Sequence, residues 1–103
     1  MEKQKIFIVE DEISICKELV ALLQSEGYEA DYLKSFDHTA EDIEAAGADL
    51  VLLDINLPGQ SGEMVLHKLR KSSDVPVIMV TSKTGETDEE RDDRFQAFIR
   101  SDG

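Results

Sequence analysis

A chain of 103 residues, 41% apolar and 33% charged, has the composition of one small globular domain. It lacks both the low hydrophobicity of a disordered chain and an apolar run long enough to cross a bilayer. Its 23 acids against 11 lysines and arginines give a formal charge of −12, a surface that repels phosphate backbones and argues against direct nucleic-acid binding. The single cysteine, Cys16, excludes an intrachain disulfide framework, and the N-terminal stretch ends in acids, unlike a secretory signal, so a reducing cytoplasmic setting is expected.

The apolar patterns alternate along the chain. KIFIVE (5–10) is a β-branched and aromatic run that predicts a buried strand. From Ile13 to Glu26, Ile15, Cys16, Leu19, Val20, Leu22 and Leu23 form a helical stripe, with Gly27 placed as a C-terminal stop. YEADYL (28–33) alternates like a strand near a sheet edge, and a weaker helix over Thr39 to Ala46 closes at Gly47. DLVLLD (49–54) predicts the third main strand and Gly62 to Lys71 the third helix, with Val65, Leu66 and Leu69 inward. VPVIMV (75–80) is the fourth main strand, Pro76 being tolerable at its start, and TDEE (87–90) is a capping box that opens a fourth helix.

Strands alternating with helices predict βαβ units, a parallel sheet and right-handed crossovers. In such a sheet a ligand sits beyond the carboxyl ends of the strands, where strand order reverses. The first strand delivers Glu10, Asp11 and Glu12 to that edge, the third Asp54 and Asn56, and the fourth Thr81, Ser82 and Lys83. If the first and third strands are neighbours, Asp11 and Asp54 converge within reach of one cation. Crowded carboxylates raise each other's pKa, and a hard divalent ion such as Mg²⁺, which takes one or two carboxylates and a phosphate, removes the conflict.

Asp54 is then a candidate nucleophile toward a phosphoryl group. Thr81 is placed to hydrogen-bond a phosphoryl oxygen, and the small Ser82 lets a backbone amide approach another. Pro58 and Gly59 are expected to turn the chain away and leave Asp54 open to solvent.

IFIVEDE, VLLDINLPGQSG and VIMVTSK together resemble the receiver domain of two-component response regulators, most of all the receivers of winged-helix (OmpR/PhoB-type) transcription regulators. The match runs from about Lys5 to Glu90. It implies a flavodoxin-like (CheY-like) α/β fold with a doubly wound parallel sheet of order 2-1-3-4-5, and Mg²⁺-dependent phosphorylation by a histidine kinase. It implies Asp54 as phosphoacceptor, Asp11 and Asp54 as metal ligands, Asn56 as a ligand through its carbonyl, and Glu10 as the second acid of the pair, acting through water. Thr81 is the switch hydroxyl. Autophosphorylation at Asp54, without turnover as an enzyme, is the implied chemistry.

Beyond Glu90 the pattern fails. The expectation is a receiver core over 1–90 and a divergent tail over 91–103. The family's lysine after its fifth strand falls near Gly103, and no lysine follows Lys83. FQAFIR (95–100) either forms a makeshift fifth strand, with Arg100 standing in for that lysine, or the tail is foreign to the fold. The second is favoured, as in a truncated or frame-shifted receiver with neither fifth helix nor DNA-binding output domain. VPVIMV would then be poorly covered, and self-association as a dimer is expected.

A fragment that no longer switches but binds a kinase or itself is the alternative function. A Mg²⁺-dependent phosphohydrolase is disfavoured because DIN (54–56) lacks a second aspartate two residues after the nucleophile. Plainer roles suffice for other residues. Glu12 is a helix N-terminal acid, Cys16 a small core residue, and Tyr28 and Tyr32 packing residues. His38 and His67 are surface groups, and Lys83 belongs to a solvated loop.

Overall fold

The structure, a computed structural model, describes residues 3–80 and 100–102. Thr81, Ser82, Lys83, the capping box at 87–90, the stretch 95–99 and the Arg100 side chain lie outside what it describes. The elements run β1 (Lys5–Val9), α1 (Ile13–Ser25), β2 (Glu29–Tyr32), α2 (Thr39–Ala46), β3 (Leu50–Asp54), β4 (Asn56–Leu57), β5 (Gln60–Ser61), α3 (Gly62–Leu69), β6 (Val77–Val80) and β7 (Arg100–Asp102). Both glycine stops stand where expected, after α1 and α2, with φ of 96° at Gly27 and 63° at Gly47.

Five strands form one sheet in the order β2-β1-β3-β6-β7. The first four are parallel, with Ile8 opposite Tyr32, Val9 opposite Leu53 and Asp54 opposite Val80. This is the doubly wound, flavodoxin-like α/β arrangement. From β1 the chain steps one way to β2 and then back across β1 to β3. Right-handed crossovers therefore put α1 on one face of the sheet and α2 and α3 on the other.

Strand residues divide between the faces with period two. Phe7, Val9, Val51, Leu53, Val77 and Met79 pack with Ile43 of α2 and with Val65 and Leu69 of α3 in the main core. Ile6 and Ile8 point to the opposite face, the side on which α1 buries Ile15 and Cys16. Lys5 ties the α2 end of the sheet together: its N–H donates to Asp49 Oδ2 and its Nζ to the Ala46 carbonyl, each at 2.8 Å.

Three expectations change. The favoured reading of a tail foreign to the fold gives way to a fifth strand, the less favoured alternative: Arg100–Asp102 pairs antiparallel with β6, with Met79 opposite Arg100 and Val77 opposite Asp102. An antiparallel strand at the rim of a parallel sheet is a common arrangement. The VPVIMV strand is consequently not an exposed edge. β6 is paired on both sides, and Val77 and Met79 are buried, although Ile78 and Val80 on the α1 face are only half-buried. Tyr28 is exposed rather than packed, whereas Tyr32 is half-buried beneath Lys34, whose Nζ lies 4.6 Å from the ring centroid.

Candidate metal centre

The parallel register that sets Val9 beside Leu53 brings the next residues, Glu10 and Asp54, side by side at the carboxyl edge. Asp11 joins them, and one carboxylate oxygen from each of Glu10, Asp11 and Asp54 lies within 4.8 Å of the others. Asp11 is exposed, but Glu10 and Asp54 are 6% and 3% exposed. The expectation that the Pro58-Gly59 turn leaves Asp54 open to solvent is therefore corrected. The turn is real, with Gly59 at φ 71°, a left-handed value that glycine takes without strain. It belongs to a two-residue hairpin in which Asn56 pairs with Ser61 and Leu57 with Gln60, and that hairpin folds back toward the strand end.

Gly62 explains how close the return is. Its N–H donates to the Ile55 carbonyl at 2.6 Å, and a methyl group at its Cα would collide with the Asp54 carbonyl oxygen. Ser61, just before it, caps α3 by accepting from the Met64 N–H at 3.1 Å. The sequence marks Gly62 only as a helix start. Its real constraint is the backbone on which Asp54 stands.

The two buried acids are held by backbone donors. The Glu12 N–H donates to Glu10 Oε2 at 3.0 Å, and the Asn56 N–H donates to Asp54 Oδ1 at 3.2 Å. Glu12 stands at the N-cap of α1 without a side-chain cap bond, so its backbone rather than its charge serves the cluster. Beneath the cluster the buried Cys16 thiol donates to the Glu10 carbonyl at 3.2 Å, and burial first, then the acids, push its pKa up to about 11. His38 and His67 are exposed, as expected.

Burial pushes Glu10 up to about 8, against the pull of the Glu12 N–H, with the charges of Asp54 and Asp11 adding to the rise. Asp54 is raised as well, chiefly by burial, while the Asn56 N–H and the hydrogen bond from Glu10 pull it down. Glu10 and Asp54 are thus both pushed toward their neutral forms, with a hydrogen bond between the two side chains. This is a site short of positive charge.

A pH dependence follows from the sign of the Glu10 shift. The folded chain keeps a proton that the unfolded chain releases near 4.5, so metal-free stability falls as pH rises from about 4.5 to about 8. Glu10→Gln is expected to flatten that fall and to exceed the parent by roughly 2–4 kcal/mol at pH 8. Thermal melts in chelator from pH 5 to 9 check it; parallel curves for the two proteins would refute it.

The family model for the response regulator receiver domain matches residues 6–97. The chain belongs to that family. Among curated relatives, this receiver is 47% identical over 83 residues to the sensory transduction protein RegX3 of Mycobacterium tuberculosis, covering 81% of this chain and 37% of the relative. It is 35% identical over 86 residues to the DNA-binding response regulator MtrA of Mycobacterium leprae, covering 84% and 38%. The receiver thus spans well under half the length of those relatives.

Among solved structures, TrrA of Thermotoga maritima in complex with Mg²⁺-BeF is 37% identical, with a TM-score of 0.68 over 76% of this chain and 69% of that one. TrrA in complex with the histidine kinase ThkA is 33% identical, with a TM-score of 0.69 over 84% and 75%. No helix among the described residues is long and apolar enough to cross a membrane.

Proposed function

We propose that this receiver accepts a phosphoryl group on Asp54 from a histidine kinase, with Mg²⁺ held at the acid cluster. The observation that carries the reading is the trio Glu10, Asp11 and Asp54, with donor oxygens within 4.8 Å and both buried members pushed up by burial. Such a set of hard oxygen donors, short of positive charge, fits Mg²⁺, which keeps several waters and needs few carboxylates. Asp11 and Asp54 would hold the ion directly, Glu10 through water, and Asn56 through its carbonyl.

The hairpin supports that last assignment. In a two-residue hairpin the pair beside the turn exchanges hydrogen bonds and the next pair does not, so Asn56 turns its N–H and carbonyl away from Ser61. The N–H goes to Asp54, and the carbonyl shares that side. When bound, the ion offsets the charge of the acids and of the incoming phosphoryl oxygens.

The protein's own part is positioning. An Asp54 carboxylate oxygen attacks phosphorus, the bond from phosphorus to the donor's imidazole nitrogen breaks, and the imidazole leaves with the electron pair. β3 supplies the rigid support, with Asp54 continuing the ladder through the Ile55 N–H to the Val80 carbonyl at 3.0 Å. Thr81 hydrogen-bonds a phosphoryl oxygen and the Ser82 amide approaches another. The kinase assignment is supported by the ThkA complex of a relative, and the cytoplasmic setting by the lone cysteine. Residues 1–90 form the working core and 91–103 the divergent tail, and nucleic acid is not a partner of this acidic segment.

Incubation with Mg²⁺ and a small acyl phosphate, read by intact mass, tests the reading; one added phosphoryl group is expected. No gain with the fold intact by circular dichroism would select the binding-only alternative. Self-association through the half-buried Ile78 and Val80 face is part of the same proposal. Light scattering coupled to size exclusion should give a dimer at high concentration, and a monomer throughout would remove that part.

A further inference from the structure

We infer that Gln60 is a positioning residue for the metal site, acting through the hairpin that carries Asn56; the inference rests on the reading of the acid cluster just given. Strands β4 and β5 have two residues each, and a hairpin that short has little stability of its own. Its base is fixed where the Gly62 N–H meets the Ile55 carbonyl. Its far end needs a second anchor, or the segment pivots about that base and Asn56 swings with it.

Gln60 supplies the anchor across 24 and 21 residues of sequence. Its Nε2 donates to the Phe36 carbonyl at 3.2 Å and to Thr39 Oγ1 at 3.2 Å, with a longer contact of 3.5 Å to the Pro58 carbonyl inside the hairpin. The receiving side is rigid. Thr39 is 4% exposed, opens α2, and donates its own hydroxyl to the Phe36 carbonyl at 3.2 Å. Phe36 packs against the main core, and α2 is pinned there by Ile43.

Gln60 is one residue from Ser61, the residue opposite Asn56. A tether at Gln60 therefore limits the rotation of the strand segment whose N–H and carbonyl face Asp54. The Asn56 N–H bond to Asp54 Oδ1, at 3.2 Å, fixes one point of that segment and leaves rotation about it to be limited elsewhere. Among the described residues the Gln60 side chain bonds Phe36, Thr39 and Pro58, and none of the three acids. Its effect passes through backbone.

The test is the Mg²⁺ dissociation constant, by calorimetry, of the full chain and of Gln60→Met and Gln60→Lys, with Asp54→Asn as control. Gln60→Met keeps the length and apolar stem but has no donor. It is expected to weaken Mg²⁺ binding about tenfold, the low end for a group that orients a metal ligand without touching the ion. Gln60→Lys still donates to the Phe36 carbonyl and should stay near the parent. Adding Thr39→Val to Gln60→Met should weaken Mg²⁺ binding no further, because the tether is already cut.

Parent-like Mg²⁺ affinity in Gln60→Met overturns the inference, as does equal weakening in Gln60→Met and Gln60→Lys. If the parent binds no Mg²⁺, or Asp54→Asn binds it as well as the parent, the reading of the acid cluster has failed and the tether falls with it.

Discussion

Asp54→Asn is expected to gain no phosphoryl group under conditions in which the parent gains one, and in the absence of metal to melt above the parent. Both effects come from the same atoms. The amide keeps the shape and an oxygen able to accept from the Asn56 N–H, now at 3.2 Å from Asp54 Oδ1, so the hairpin has no reason to move. It is no nucleophile, however, and it carries no charge.

Removing that charge relieves a conflict visible in the fold. Asp54 is 3% exposed and is raised by its burial, and its charge helps to push the neighbouring Glu10 up to about 8. Neutralising one member of such a pair returns about 1–2 kcal/mol at pH 8. For a domain of this size that is on the order of 5–15 °C in the melting midpoint. Intact mass and a thermal melt in chelator read the two results on one preparation. A phosphoryl gain in Asp54→Asn would move the acceptor elsewhere, with Asp11 the first candidate. A lower midpoint would mean that Asp54 is better compensated in the fold than its surroundings show.

What could be read in the sequence depended on how local the cause was. The runs IFIV and LVLL, the stripe of α1 and the bounds of α2 come from side-chain periodicity, and the structure places them within a residue or two of the expected ends. The convergence of Asp11 and Asp54 was conditional on the first and third strands being neighbours, an order that only the family resemblance implied and that the register of β1 with β3 shows.

The burial of Asp54 was not legible. It depends on a hairpin of two-residue strands, too short to show a period, and on the approach of Gly62, which no positive φ announces. Gln60 was equally silent, since its partners, Phe36 and Thr39, are 24 and 21 residues away. The direction of β7 is of the same kind. A three-residue strand carries no side-chain pattern that says whether it runs with β6 or against it.

Gly62 gives the test with the clearest sign. Introducing a side chain at a glycine in an ordinary helical start normally stabilises, because glycine has the lowest helix propensity after proline, worth about 1 kcal/mol against alanine. Gly62→Ala is expected to do the reverse. The new methyl would meet the carbonyl oxygen of Asp54, with the Asp54 carbonyl carbon and Ile55 Cα each 3.0 Å away. These are backbone atoms in a strand whose next N–H bonds β6, and they cannot rotate aside.

Overpacking of this kind costs about 1–3 kcal/mol beyond the propensity gain, so the midpoint should fall by roughly 5–20 °C. Relief is possible only by moving β3's end or lifting α3, and the first displaces Asp54 from Glu10 while the second breaks the Ser61 cap. The first route should lower the Mg²⁺ affinity of the folded protein together with its stability, and the second its stability alone. Ser61→Ala, which removes the cap alone, is expected to cost about 1 kcal/mol and leave Mg²⁺ affinity unchanged. A Gly62→Ala protein that melts above the parent would show that the helix start is free to shift and that Asp54 does not depend on it.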